Sequence, residues 1–183
     1  MSEANQRIDL AVLPDAQDHA QGAEHARVVV VEYGDFECAS CKVAAPAAGM
    51  LLKRYPNRIR FIFRHFPLEQ AHPHALAAAQ AAEAAAAEGR FWPMHDVLFE
   101  NQTHLGPKDL SRYAAELGLD MARFTAQMDD QVYLQKIREH LDGGRRSHIR
   151  ATPAFFVNGV MQDVSFGVQA LHDAVAVAVK AAG

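Results

Sequence analysis

The chain has two cysteines, Cys38 and Cys41, in a Cys-x-x-Cys spacing. A bridge closing so short a loop constrains the unfolded chain little, so the spacing suits chemistry better than stabilisation. Two chemistries use it: thiolate ligation of a metal and thiol–disulfide exchange. A structural zinc takes four ligands and this pair supplies two, so no metal site is assigned. The flanking sequence favours exchange. Val28-Val29-Val30-Val31 is a β-branched run of the kind that forms a strand buried on both faces, and Gly34-Asp35-Phe36-Glu37 breaks it. The Ala-rich stretch after Cys38 predicts a helix to about Tyr55, kinked at Pro46 and stopped at Pro56-Asn57. The pair thus sits where a strand hands over to a helix. There the backbone N–H groups and the helix dipole favour an anion and lower the pKa of the first cysteine. Cys38 is the expected nucleophile. Cys41, one turn inside the helix, is the expected resolving thiol that attacks the mixed disulfide from within.

The elements that must position this pair read as follows. Ile59 to Phe66 alternates apolar and basic residues and predicts a second strand ending at Pro67. His74 to Glu88 is mostly alanine and predicts a helix stopped by Gly89 that packs closely against a neighbour. Helices are expected near 93–102, 108–117 and 121–128, punctuated by Gly106-Pro107 and Gly118, and a longer one from Gln131 to Leu141 that Gly143-Gly144 ends or bends. The strand period returns at Ala154 to Val157. Asn158-Gly159 is a strong hairpin signal, and Val160 to Asp163 is the returning strand. A last helix spans about Gly167 to Ala181; its alternating valines mimic a strand, but alanine is poor in strands. The order is strand, active-site helix, strand, helical block, hairpin, terminal helix, an α/β fold interrupted once.

With 183 residues the chain is long enough for one well-buried core and short for two average domains. Half of it is apolar, 22% is charged and the net charge is −4, which argues against disorder and against a polyanion-binding surface; nucleic acid is not an expected partner. The longest aliphatic run, Ala174 to Val179, is far below the roughly 20 residues of a membrane span. The first 22 residues, with Glu3 and Asp9, lack a basic and an apolar region of a secretory signal, so the expected location is cytoplasmic, or periplasmic if the chain is a processed form. Most of the ten histidines are expected to be bystanders, among them His65, His72, His74 and His95. Phe91 and Trp92 are read as core, and Arg145-Arg146 as a solvated helix-end pair.

Across some 140 residues the ordered motifs Asp18-His19-x-x-Gly22, Val30-Val31-Glu32-Tyr33-Gly34-Asp35-Phe36-Glu37-Cys38-Ala39-Ser40-Cys41, Arg64-His65-Phe66-Pro67-Leu68, His72-Pro73-His74-Ala75, Gly89-Arg90-Phe91-Trp92-x-Met94-His95-Asp96 and Thr152-Pro153-x-Phe155-Phe156-Val157-Asn158-Gly159 resemble the DsbA-like thioredoxin-fold oxidoreductases, in the bacterial subgroup with an inserted helical domain. The resemblance implies a thioredoxin-like fold with an all-helical insertion: one domain over 1–183, its core about 8–68 and 149–183, the insertion about 69–148. It implies that Pro153 is the family's cis-proline and that Thr152 beside it pairs with an extended substrate segment. Glu32 matches the family's buried acid, which takes the proton from Cys41. Glu37 is given no catalytic role.

The dipeptide between the cysteines departs from the family. Ala39 and Ser40, assigned with Thr152 to substrate binding, stand where Pro-His or a Pro-aromatic pair is common. Ser40 offers sulfur a hydroxyl but no charge, so the reduced form is less stabilised and the potential less oxidising. The expected function is exchange of a Cys38–Cys41 disulfide with protein or peptide thiols. No external cofactor is expected, since the disulfide carries the electrons, and recycling falls to glutathione, a thioredoxin-like protein or a quinone-linked partner. The alternatives are a cytoplasmic reductase or isomerase, and a non-catalytic binding or chaperone module.

Overall fold

Four valines and a tyrosine make Val28–Gly34 (β2) a strand buried at six of its seven positions; Val30, Val31 and Tyr33 are shut from solvent. In the computed structural model, which describes residues 8–183, β2 lies in a five-stranded sheet of order β1-β3-β2-β4-β5. The strands are β1 His19–Gly22, β3 Ile59–His65, β4 Ala154–Val157 and β5 Val160–Gln162. The β1/β3, β2/β4 and β4/β5 pairs are antiparallel. The fold is α/β, as expected. Glu3 of the N-terminal reading lies outside the described residues.

Close contacts divide the chain into two units. The first holds residues up to Tyr33, Pro46–Arg64 and Gly143–Gly183; the second holds Gly34–Ala45 and His65–Asp142. The segment 34–45 with both cysteines belongs to the helical unit, not to the strands.

The sheet unit is built on its aromatics. Phe61, Ile62, Phe63, Phe155 and Phe156 are buried, and helix α8 (Gln169–Ala181) buries Leu171, Val175 and Val179, packing against β4 and β5. Asn158 and Gly159 both take positive φ, 47° and 81°, and join Val157 to Val160 in register, the two-residue turn expected from an Asn-Gly pair. Strand β1 was not expected: His-Ala-Gln-Gly is short and polar, as edge strands often are, and gives no alternating pattern to read. It ends at Gly22, where φ is +90° and a Cβ would run into the Ile59 carbonyl. Helix α2 (Pro46–Arg54) buries Ala47, Ala48 and Leu51.

In the helical unit α3 (Ala75–Ala86) packs against α4 (Phe91–Glu100), α5 (Pro107–Glu116) and α6 (Met121–Asp129). Seven of its alanines are buried, with Gln80 and Glu83, so it is buried nearly all round, as close approach on several sides requires. Each helix matches the sequence expectation within about two residues. Helix α7 (Leu134–Arg146) does not. It starts three residues late, Gln131 taking φ 51° and Val132 lying exposed, and it continues through Gly143-Gly144 without ending. Gly143 is kept for packing: a Cβ there would stand 3.0 Å from Val12 Cγ2 and 3.3 Å from Tyr33 Oη.

Candidate functional site

The turn from β2 into the next helix sets the geometry of the cysteines. Asp35 accepts the Cys38 N–H at its carbonyl (3.2 Å), closing a tight turn, and Cys38 is the N-cap of α1 (Ala39–Ala44) in extended conformation. Cys38 is 8% exposed and Cys41 is fully buried, while Ala39 and Ser40 between them are exposed. Neither cysteine is in a disulfide. Of the two, Cys38 retains the slight exposure, at the start of the helix, and Cys41 lies one turn inward with none.

The helix expected to about Tyr55 with a kink at Pro46 forms in two pieces, α1 and then α2 to Arg54, with the interruption at the expected place. It breaks at Ala45, leaving α1 only six residues long before Pro46 opens α2. Proline has no N–H and its ring clashes with the preceding turn, which ends a helix at this point. A dipole summed over so few peptide units is weaker than the one the sequence implied.

What fixes the Cys38 turn is a set of side chains that the sequence reading passed over. Asp35 is buried; its Oδ1 accepts the Glu37 N–H (2.8 Å), and its Oδ2 accepts the Leu68 N–H (2.8 Å) and contacts His72 Nδ1 at 2.7 Å. Glu37 accepts the His74 N–H (2.7 Å), and Gln102 donates through Nε2 to the carbonyls of Phe36 (2.9 Å) and Cys38 (2.7 Å). Phe36 packs against Phe99, His65 and His95. His72 is 23% exposed in its side chain. Its pKa is raised, first by the hydrogen bond to Asp35, against some opposition from burial, and further by the negative charges of Asp35, Cys38 and Glu37. His72 was read as a bystander beside Pro73, and Asp35 as part of a strand-breaking turn. The one signal available was the Asp35-x-x-Cys38 spacing, since an aspartate opening a turn is a common local acceptor.

The remaining candidates belong to the sheet unit. Glu32 is buried on β2, 2% exposed, in register with Phe155 of β4, whereas glutamates are mostly exposed. Thr152 is buried, the Thr152–Pro153 peptide is cis, and Ala154 then opens β4 opposite Tyr33. Arg64, from the fourth residue before Leu68, is buried with Tyr33 and held by Asp18 through Nε and Nη2 at 2.8 Å each; Nη1 donates to the Val12 carbonyl (2.7 Å) and Tyr33 Oη (3.0 Å). Burial alone would lower the Arg64 pKa, but the hydrogen bonds and charge of Asp18 and the hydrogen bond of Tyr33 raise it. This cluster ties the Asp18 and Arg64 motifs to one structural task.

Comparison with known proteins gives a consistent fold. The family model described as Thioredoxin (Thioredoxin_4) matches residues 15–176. A curated relative, the Na(+)/H(+) antiporter NhaA 1 of Salinispora arenicola, is 47% identical over 169 residues, 92% of this chain and 26% of the relative, so the chain spans about a quarter of that protein. The crystal structure of a thioredoxin-like oxidoreductase from Silicibacter pomeroyi shares 25% identity at a TM-score of 0.77, covering 91% of this chain and 94% of that one. That of Wolbachia pipientis alpha-DsbA1 shares 20% at a TM-score of 0.80, covering 96% and 98%, a likeness of fold.

Proposed function

This chain belongs to the thioredoxin family, and from that premise we propose that it is a protein thiol–disulfide oxidoreductase of the DsbA-like kind. The observation that carries the reading is the pair itself: Cys38 at the edge on the N-cap of α1, Cys41 fully buried one turn inside. In the oxidising direction a client thiolate attacks Cys38 Sγ of the Cys38–Cys41 disulfide. A client–Cys38 bond forms, the Cys38–Cys41 bond breaks, and Cys41 leaves as a thiolate that takes up a proton. A second client thiolate attacks the client's sulfur in the mixed disulfide and displaces Cys38. The client loses two electrons and gains a disulfide; the cysteine pair gains those electrons. In the reducing direction the Cys38 thiolate attacks a client disulfide and Cys41 resolves the mixed species.

Thr152 and Pro153 present the client segment, Ala39 and Ser40 contact it, and Glu32 exchanges the proton, in the roles the resemblance implies. The burial of Glu32 supports its part, since a buried carboxyl holds a proton more readily than an exposed one. The cysteine pair is the electron carrier, with no external cofactor, and a glutathione, thioredoxin-like or quinone-linked partner resets it. Antiport is an activity of the much longer relatives and is not proposed for this chain, which covers 26% of the one described.

The test equilibrates the protein in glutathione buffers of defined poise and counts alkylated thiols by mass. Both cysteines are expected to convert together in one two-electron transition, with a midpoint between about −120 and −270 mV. Cys38→Ser is expected to abolish exchange with a dithiol peptide. If no intramolecular disulfide forms across that range, the reading fails, and client capture that survives Cys38→Ser would install the binding module in its place.

A further inference from the structure

The thiolate that this chemistry requires lacks the usual source of charge. Ala39 and Ser40 carry none, and α1 is too short to supply a large dipole. The helical unit nevertheless delivers a cation to the Cys38 turn. Asp35 and Cys38 are the first and last residues of one tight turn, closed by the Cys38 N–H to Asp35 carbonyl bond, which brings their Cα atoms within about 7 Å. The Asp35 carboxylate, buried and holding the Leu68 and Glu37 N–H groups, bonds His72 Nδ1 at 2.7 Å, so the ring is fastened to the start of the turn whose end bears the sulfur. We propose that His72, kept as an imidazolium by Asp35, is the cation that stabilises the Cys38 thiolate, a role that no residue between the cysteines can fill. The inference rests on the oxidoreductase reading, which it deepens by naming what sets the redox poise.

Charge coupling between the two sites runs both ways. A thiolate at Cys38 would help hold the proton on His72, and by reciprocity the imidazolium helps hold the charge on Cys38 to the same extent. Asp35 and Glu37, on the same turn as Cys38, are the other charged groups facing the ring, and its own segment adds Glu69 and His74, both exposed. Asp35 anchors His72 without bonding the sulfur, and His72 acts by its field. Both are positioning groups.

The decisive measurement follows the His72 ring by NMR through a pH titration of the intact chain in the reduced and disulfide forms. In the disulfide no thiolate can form, so the pKa of His72 is expected to fall on oxidation. Identical titrations in both forms would overturn the proposal. His72→Gln and His72→Lys, each checked for native circular dichroism, supply the second readout, the pH dependence of Cys38 alkylation. Gln is expected to reduce the thiolate fraction at pH 7 about tenfold and to move the midpoint about 30 mV more negative, the equivalent of a tenfold change for a two-electron couple. Lys is expected to restore the wild-type values by restoring the charge. Gln behaving as wild type, or Lys failing like Gln, would each sink the idea. If the cysteines form no disulfide at all, comparing His72 in the reduced wild type and in Cys38→Ser still tests the coupling, so its failure and that of the oxidoreductase reading are told apart.

Discussion

Gln102 holds Cys38 from behind: its Nε2 donates to the Cys38 carbonyl at 2.7 Å and, with its other hydrogen, to the Phe36 carbonyl at 2.9 Å. A side-chain amide has two donors on one nitrogen, and here both are spent on the turn that carries the nucleophile. Gln102→Glu keeps the shape and replaces the donors with acceptors facing two carbonyl oxygens. It is expected to cost roughly 1–3 kcal/mol in urea denaturation of the reduced protein and to slow Cys38 alkylation, because the turn loosens. Gln102→Leu should lose less, since it removes the bonds without adding repulsion. A Glu variant as stable and as reactive as wild type would show that the turn does not depend on Gln102.

The His72–Asp35 pair gives folding stability a pH dependence whose sign is fixed. The folded-state pKa of His72 is raised above its ordinary value, first by the Asp35 hydrogen bond. Between the unfolded and folded values the folded chain binds more protons than the unfolded one, so stability falls as pH rises through that interval. The pair's contribution is complete below about pH 6.5, the ordinary histidine value, and is lost as pH climbs through the raised one. Urea midpoints of wild type and His72→Gln are expected to differ most near pH 6 and to converge at alkaline pH. A gap that stays constant with pH would mean that His72 contributes shape and not charge.

Local patterns were legible in the sequence, and long-range partnerships were not. The cysteine spacing, the valine strand, the Asn158-Gly159 turn and the alanine helix each announce themselves within a few residues, because period, turn chemistry and propensity are local properties. Asp35 and His72 stand 37 positions apart, and Gln102 stands 64 from Cys38; nothing in composition or period joins them. Strand β1 stayed hidden for a different reason. Its polar residues gain their strand from pairing with β3, from His19 opposite Phe63 to Gly22 opposite Arg60, so the partner's sequence specifies it. Gly143-Gly144 misled because glycine reads as a helix stop, whereas here the missing Cβ at Gly143 serves packing.

The Arg64–Asp18 pair should show how much more costly a broken buried ion pair is than a missing neutral hydrogen bond. Both side chains are nearly inaccessible, at 3% and 4% exposure, and the pair is bidentate. Asp18→Asn leaves the guanidinium buried with only neutral partners, the Val12 and Leu13 carbonyls and Tyr33 Oη. The expected loss is about 3–5 kcal/mol in chemical denaturation. Tyr33→Phe removes one neutral acceptor from the same cluster and should cost about 1–2 kcal/mol. Equal losses in the two variants would show that the charge of Asp18 adds nothing to its hydrogen bonds.

Two helical glycines should respond to alanine with opposite signs. Gly49, in α2, has nothing within 4 Å of where a Cβ would stand. Alanine there restricts the unfolded chain and meets no obstacle, so Gly49→Ala is expected to stabilise by roughly 0.5–1 kcal/mol. Gly143, in α7, carries the same propensity cost but has Val12 Cγ2 at 3.0 Å and Tyr33 Oη at 3.3 Å from that point. The Tyr33 hydroxyl is bound by Arg64, and the Val12 backbone is fixed there by its carbonyl, so the hydroxyl cannot retreat without straining that cluster and Val12 can yield only by turning its side chain. Gly143→Ala is therefore expected to be destabilising despite alanine's better helix propensity. The pair of thermal midpoints decides the matter, and a stabilised Gly143→Ala would mean that the Val12 segment yields more readily than its bonds to Arg64 imply.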